Sequence, residues 1–257
     1  MILTIHALQL DSVWEDKAAN FTKVRTLLNA VPPAEKSLIV LPEMFGTGFS
    51  CALDVTAEPE GGETEVFLKS LAAEHQSCVL GGVVTRGEDG NARNQALAIS
   101  PDGKVLARYT KMRPFSLGGE ADVHVRGSTP VLFEWGGFKI APLVCYDLRF
   151  PELAREAVKM GAEVLLYMAA WPVKRFQHWI TLLQARAIEN QAYVIGVNRT
   201  GTDPQFSYNG RSLVVDPHGV IIADAGEREH AITTQIEHEV VSGWRAQFPG
   251  LRDAGLV

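Results

Sequence analysis

The sequence predicts an α/β fold in which two mixed sheets pack face to face under covering helices. Three observations predict it. Apolar runs of strand length alternate with segments of helical period along the chain. Several strands come in pairs around short turns, at Pro101-Asp-Gly103, Gly136-Gly137 and Pro217-His-Gly219, so the sheets cannot be purely parallel. Finally, no Pro/Gly/Ser-rich linker and no internal repeat divides the 257 residues, and 46% apolar content suffices for a sizeable core, so residues 1–257 read as one domain.

Taken in order, 2–10 is a first strand and 16–30 a helix over Ala18, Phe21, Val24, Leu27 and Leu28, ended by Pro32-Pro33. Residues 37–41 form a short apolar strand that runs into Pro42-Glu43 and a glycine-bearing loop. A second helix spans 63–74. Strands follow at 78–85, 94–100 and 104–109, the last leading into Thr110-Lys111. The next hairpin pairs 129–135 with 138–144 and ends on Cys145. Pro151 and Glu152 open a helix to Met160, stopped by Gly161, with proline at the first helical position and an acid in the first turn. A strand at 163–168 ends at Ala169-Ala-Trp171-Pro172. The longest helix, 174–191, places Phe176, Trp179, Ile180, Leu183 and Ala187 on one face, which reads as core. A strand at 192–197 leads into a loop at 198–203. A hairpin of 212–215 with 220–224, a strand at 231–236 and a helix at 237–247 complete the chain.

Composition excludes several functions. The net charge of −6 and the scattered lysines and arginines give nucleic acid no basic patch. No apolar run has membrane-spanning length, and the apolar N-terminus lacks a basic leader, so it reads as a strand rather than a signal peptide. Three cysteines, Cys51, Cys78 and Cys145, with no CxxC make a disulfide framework or zinc site improbable and suit the reducing cytoplasm. There is no G-x-S-x-G, no H-E-x-x-H, no P-loop and no G-x-G-x-x-G, and the seven histidines show no metal spacing.

Three polar groups stand at strand ends, the place where open α/β sheets carry their sites: Glu43, Lys111 and Cys145. Taken singly, each has an ordinary reading. A free cysteine is usually a small buried hydrophobe, most glutamates are surface loop acids, and lysine ends many strands as a solubilising residue. Together they make coherent chemistry. A carboxylate takes the thiol proton, the sulfur attacks an amide carbonyl, and a lysine ammonium and the backbone N–H of Tyr146 hold the oxyanion. The strand-to-helix turn around Cys145 is further expected to favour a thiolate through free N–H groups and the helix dipole.

Five segments in order carry a resemblance: Leu41-Pro-Glu43-Met-Phe, Tyr109-Thr-Lys111, Val144-Cys145-Tyr-Asp-Leu-Arg-Phe-Pro-Glu, Ala185-Arg-Ala-Ile-Glu-Asn-Gln-Ala-Tyr193 and Asn209-Gly-Arg-Ser-Leu-Val-Val-Asp-Pro-His-Gly219. Over nearly the whole chain the sequence resembles the carbon–nitrogen hydrolase (nitrilase) superfamily, and within it most closely the ω-amidase branch. The resemblance implies a four-layer α-β-β-α sandwich, a Glu43–Lys111–Cys145 triad, and Glu120 as a second glutamate that holds Lys111. It implies hydrolysis of the terminal amide of α-ketoglutaramate or α-ketosuccinamate by way of a thioester, with a small-molecule amide and water as partners, no metal or organic cofactor, and a homodimer or higher homo-oligomer. Phe115, Trp171, Arg113 and Arg175 are expected at the substrate mouth, where either arginine would meet a distal carboxylate or simply be solvated. Two segments depart from the relatives, Met112-Arg113-Pro114-Phe115 and Ala170, so an N-carbamoyl amidase, an aliphatic amidase, a nitrilase, or an inactive binding module of the same fold stand as alternatives.

Overall fold

The computed structural model describes residues 1–256. The first strands are β1 (Ile2–Gln9), β2 (Leu38–Val40), β3 (Ala57–Glu58), β4 (Cys78–Arg86), β5 (Ala92–Ile99) and β6 (Val105–Thr110). They are followed by β7 (Phe133–Trp135), β8 (Phe138–Val144), β9 (Val164–Ala169), β10 (Tyr193–Asn198), β11 (Thr200–Thr202), β12 (Ser207–Asn209), β13 (Leu213–Val215), β14 (Ile221–Asp224) and β15 (His230–Glu237). The helices are α1 (Lys17–Ala30), α2 (Leu53–Thr56), α3 (Glu63–Glu74), α4 (Glu120–Val123), α5 (Pro151–Lys159), α6 (Phe176–Asn190), α7 (His238–Gln247) and α8 (Gly250–Asp253).

Two sheets result. One runs β15-β1-β2-β4-β5-β6, with β3 on β4; the other runs β14-β13-β10-β9-β8-β7. Each has a parallel centre, β1-β2-β4 and β8-β9-β10, and antiparallel flanks. The mixed pairing follows from the hairpins, since a short turn can join only antiparallel strands.

Side-chain alternation sorts the core into layers. Leu3, Ile5 and Ala7 of β1, Leu38 and Val40 of β2, and Ala96 and Ala98 of β5 meet the second sheet in one cluster with Ile140, Leu143 and Leu166. Their neighbours Leu8, Ile39, Leu97 and Ile99 point the other way, onto Val24 and Leu28 of α1 and Phe67, Leu68 and Leu71 of α3. With both faces covered, the central strands are apolar throughout, which is why 37–41 reads as a continuous run rather than an alternation. Each fully buried leucine here is worth about 2 kcal/mol against exposure. On the outer face of the second sheet, α5 buries Leu153, Ala154, Ala157 and Val158, and α6 buries Trp179, Leu183 and Ala187. The layers are therefore helix, sheet, sheet, helix.

The structure departs from the sequence reading in places. The strand expected at 129–135 shortens to Phe133–Trp135, because Pro130 has no N–H to give a ladder. The loop at 198–203 instead begins a small hairpin, β11 with β12, whose turn is tied by Asp203 Oδ1 accepting from the N–H groups of Gln205 and Phe206. Phe176 is 38% exposed rather than core, since the helix proper starts there, after a 3-10 turn over Val173–Arg175. A second 3-10 turn, Cys145–Arg149, separates Cys145 from α5.

Candidate active site

Both sheets deliver polar groups to one edge. Glu43 follows β2, Lys111 follows β6 and Glu120 opens α4, while Cys145 follows β8 and Ala170 follows β9. The structure brings Glu43, Lys111, Glu120 and Cys145 together. Lys111 Nζ donates to Glu43 Oε1 at 2.7 Å and to Glu120 Oε2 at 2.6 Å. The Ala170 N–H donates to Glu43 Oε2 at 2.9 Å, across from one sheet to the other. The Phe115 N–H donates to Glu120 Oε2 at 2.6 Å. The Glu43 carboxylate also stands near enough to the Cys145 thiol to raise it.

Two glycines allow these approaches. A Cβ on Gly82 of β4 would stand 2.4 Å from the Met44 N and 2.9 Å from the Glu43 Cα, so only glycine lets the Glu43 loop lie on the strand. A Cβ on Gly127 would stand 2.2 Å from the Thr110 carbonyl oxygen, while the Gly127 N–H donates to the Lys111 carbonyl at 2.8 Å. That close return closes the loop holding Glu120 onto Lys111.

Cys145 has φ +47°, a left-handed conformation that costs a side-chain-bearing residue about 1–2 kcal/mol. Asp147 holds this turn. Its Oδ2 accepts from the Val144 N–H at 3.0 Å and the Tyr109 hydroxyl at 2.8 Å, and its Oδ1 accepts from the Arg113 N–H at 2.9 Å. Burial pushes the Asp147 carboxyl up to about 7, against the pull of those donors.

The charges decide the resting state. Burial raises Glu120, but the Lys111 ammonium, with the nearby His124 ring and hydrogen bonds from Lys111 and the Phe115 N–H, more than reverses it and holds the carboxyl down at about 2. Burial alone would lower Lys111; Glu120 and then Glu43 more than reverse it, so the lysine stays protonated. Cys145 goes the other way from expectation. Burial pushes its thiol well above the ordinary range, the Glu43 carboxylate adds to this, and Lys111 only partly offsets it. The helix expected to favour a thiolate begins six residues on, at Pro151, beyond the intervening 3-10 turn. Cys145 therefore rests as a thiol and needs a base beside it to react.

A narrow cleft of about 270 Å³, including space open to solvent, leads to the sulfur. Cys145 is 7% exposed at its floor, whereas Cys78 is fully enclosed between the sheets and its thiol is pushed up to about 12 by burial. Of the expected mouth residues, Phe115, Trp171 and Arg175 line the cleft, with Tyr146. Arg113 does not. Because its N–H is turned in to Asp147, its side chain leaves over the Phe150 ring, 5.3 Å from the centroid, toward Glu152 at 3.4 Å.

The arginine that sequence reasoning missed is Arg149, four residues after the cysteine. It lies over the Trp171 ring at 4.8 Å, and Arg175 lies over the Phe115 ring at 5.2 Å. Neither guanidinium has a carboxylate partner among the described residues, and Arg149 Nη2 donates to His178 Nδ1 at 3.2 Å. Its position only four residues after the cysteine was the available signal. Asn94 and Asp147 were also missed. Asn94 is the first residue of the strand expected at 94–100, and nothing near it along the chain marks it as part of a site.

The carbon-nitrogen hydrolase family model matches residues 4–246. An ω-amidase YafV of Yersinia enterocolitica is 39% identical over 98% of this chain and 96% of its own length. A 2-oxoglutaramate amidase of Bacillus subtilis is 33% identical over 97% and 96%. Among solved structures, a CN-hydrolase superfamily protein of Xanthomonas campestris, with an arsenic adduct in its active site, superposes with a TM-score of 0.93 at 36% identity, covering 98% of this chain and 97% of that one. The two packed sheets, the polar edge they share and these similarities place the chain in the carbon-nitrogen hydrolase family, as an amide-hydrolysing enzyme.

Proposed function

We propose that the enzyme is an ω-amidase, releasing ammonia from the terminal amide of small keto-acid monoamides such as α-ketoglutaramate and α-ketosuccinamate. The observation that carries this reading is the polarity of the cleft. Cys145 lines the cleft with Glu43 and Lys111 near its sulfur, and two guanidiniums without a carboxylate partner, Arg149 and Arg175, line the same cleft. A short substrate with an amide at one end and a carboxylate at the other fits that polarity. The identity to relatives named ω-amidase and 2-oxoglutaramate amidase supports it.

Glu43 takes the thiol proton as the sulfur attacks the amide carbon. The oxyanion is held by the Lys111 ammonium and the Tyr146 N–H. The proton passes from Glu43 to the nitrogen, the carbon–nitrogen bond breaks, and ammonia leaves a thioester on Cys145. Water gives a proton to Glu43 and adds to the thioester. The sulfur then leaves, recovers the proton and frees the dicarboxylic keto acid. Glu120 keeps Lys111 charged and in place.

Ammonia release from α-ketoglutaramate tests this. Cys145→Ala should abolish it in a folded protein. Arg149→Met should raise KM for α-ketoglutaramate about 10-fold or more, as for a lost charged hydrogen bond, and leave turnover of a neutral amide of the same length unchanged. Full activity of Cys145→Ala, or turnover of nitriles or N-carbamoyl amino acids with none of keto-amides, overturns the reading.

A further inference from the structure

Asn94 lies on β5, buried between the two glutamates of the site. Its side-chain nitrogen donates one hydrogen to Glu43 Oε1 and the other to Glu120 Oε1, each at 2.7 Å. Its backbone carbonyl accepts the Lys111 N–H at 2.9 Å. Since Lys111 Nζ bridges the same two carboxylates, Glu43, Lys111, Glu120 and Asn94 form a closed ring of hydrogen bonds to ionised oxygens. Asn94 Oδ1 has no partner among the described residues, so the two N–H bonds hold this side chain in place.

We propose that Asn94 is a positioning residue that selects Glu43 Oε2 as the atom that takes the thiol proton. Each carboxylate oxygen offers about two lone-pair sites. On Oε1 both are filled, by Lys111 and by Asn94. On Oε2 one is filled by the Ala170 N–H, and the other has no donor among the described residues. Without Asn94, Glu43 has a free site on each oxygen and can turn about its last bond, held only by Lys111 and Ala170. The residue type suits the task. Asparagine brings two hydrogens and no charge. A second ammonium would neutralise the ring and weaken the base, an aspartate would add a third buried negative charge, and a serine has a single hydrogen for two acceptors.

The inference rests on reading Glu43 as the base for Cys145, and the experiment separates the two. The activities of Asn94→Ala, Asn94→Ser and Glu43→Gln are measured against pH at equal concentrations of folded enzyme. In Asn94→Ala, kcat should fall roughly 10- to 100-fold with KM nearly unchanged, the size of a lost hydrogen bond to a charged group. The acid limb of kcat/KM should move to higher pH, because a carboxylate stripped of a donor holds its proton more tightly. Asn94→Ser, which can serve one carboxylate, should fall between, and it supplies the same readout if Asn94→Ala does not fold. A lowered melting temperature with an unmoved pH profile would mean that Asn94 is only a structural strut, and the proposal would fail. An active Glu43→Gln would instead remove the reading of the base itself.

Discussion

Replacing Lys111 with methionine tests the electrostatics of the site most directly. In the folded protein Lys111 is 1% exposed and the two carboxylates it bridges are fully enclosed. The ring of Glu43, Lys111 and Glu120 carries two negative charges and one positive, a net −1. Lys111→Met removes the cation and leaves two buried carboxylates sharing only the neutral Asn94. Removing one partner of a buried pair costs about 3–5 kcal/mol, because the other charge is left uncompensated. Here the penalty should ease at lower pH, since a carboxylate that has lost its cation takes up a proton more readily. The assay is guanidinium unfolding at pH 7 and pH 5, beside ammonia release. Lys111→Met should lose about 3–5 kcal/mol at pH 7 and clearly less at pH 5, with no measurable turnover. The double variant Lys111→Met/Glu120→Gln restores a net −1. It should recover most of the stability and none of the activity, because the cation proposed to hold the oxyanion is still missing. If the double variant is no more stable than the single one, or if Lys111→Met turns over substrate normally, the charge argument is wrong.

Two further perturbations follow from the same geometry. Gly82→Ala drives a methyl into the Met44 nitrogen 2.4 Å away, so the Glu43 loop must lift; activity should fall at least 10-fold while far-UV circular dichroism is unchanged, as expected when a reacting group is displaced by a fraction of an ångström. Glu120, held at about 2 from an ordinary 4.5, contributes stability that is complete above pH 4.5 and is lost as pH falls toward 2. Urea midpoints measured at pH 6 and at pH 3.5 should therefore drop further in the wild type than in Glu120→Gln, and equal drops would contradict the ion-pair assignment.

Much of this protein could be read along the chain. Binary pattern is local, so apolar runs of strand length, a proline at the first turn of α5 and glycines between paired strands placed most elements and the two-sheet architecture. Chemistry-bearing residues at strand ends were legible for the same reason. Glu43 and Cys145 each follow a buried apolar run and Lys111 follows a hairpin strand, and the structure collects all three at one edge. What remained was decided by contacts between residues far apart in sequence. Asn94 is only the start of a strand in the sequence until Glu43 and Glu120 meet its two hydrogens, 51 and 26 residues away. Arg113 and Arg149 are both arginines near the site, and the sequence reading put Arg113 at the mouth and passed over Arg149. The Asp147 carboxylate draws in the Arg113 backbone and turns that side chain out, while the tight turn after Cys145 carries Arg149 over Trp171. The protonation state of the thiol was decided by the same packing. Local sequence suggested a thiolate at a helix start, but enclosure between two sheets beside a carboxylate favours the neutral form, because desolvation and like charge act through space rather than along the chain.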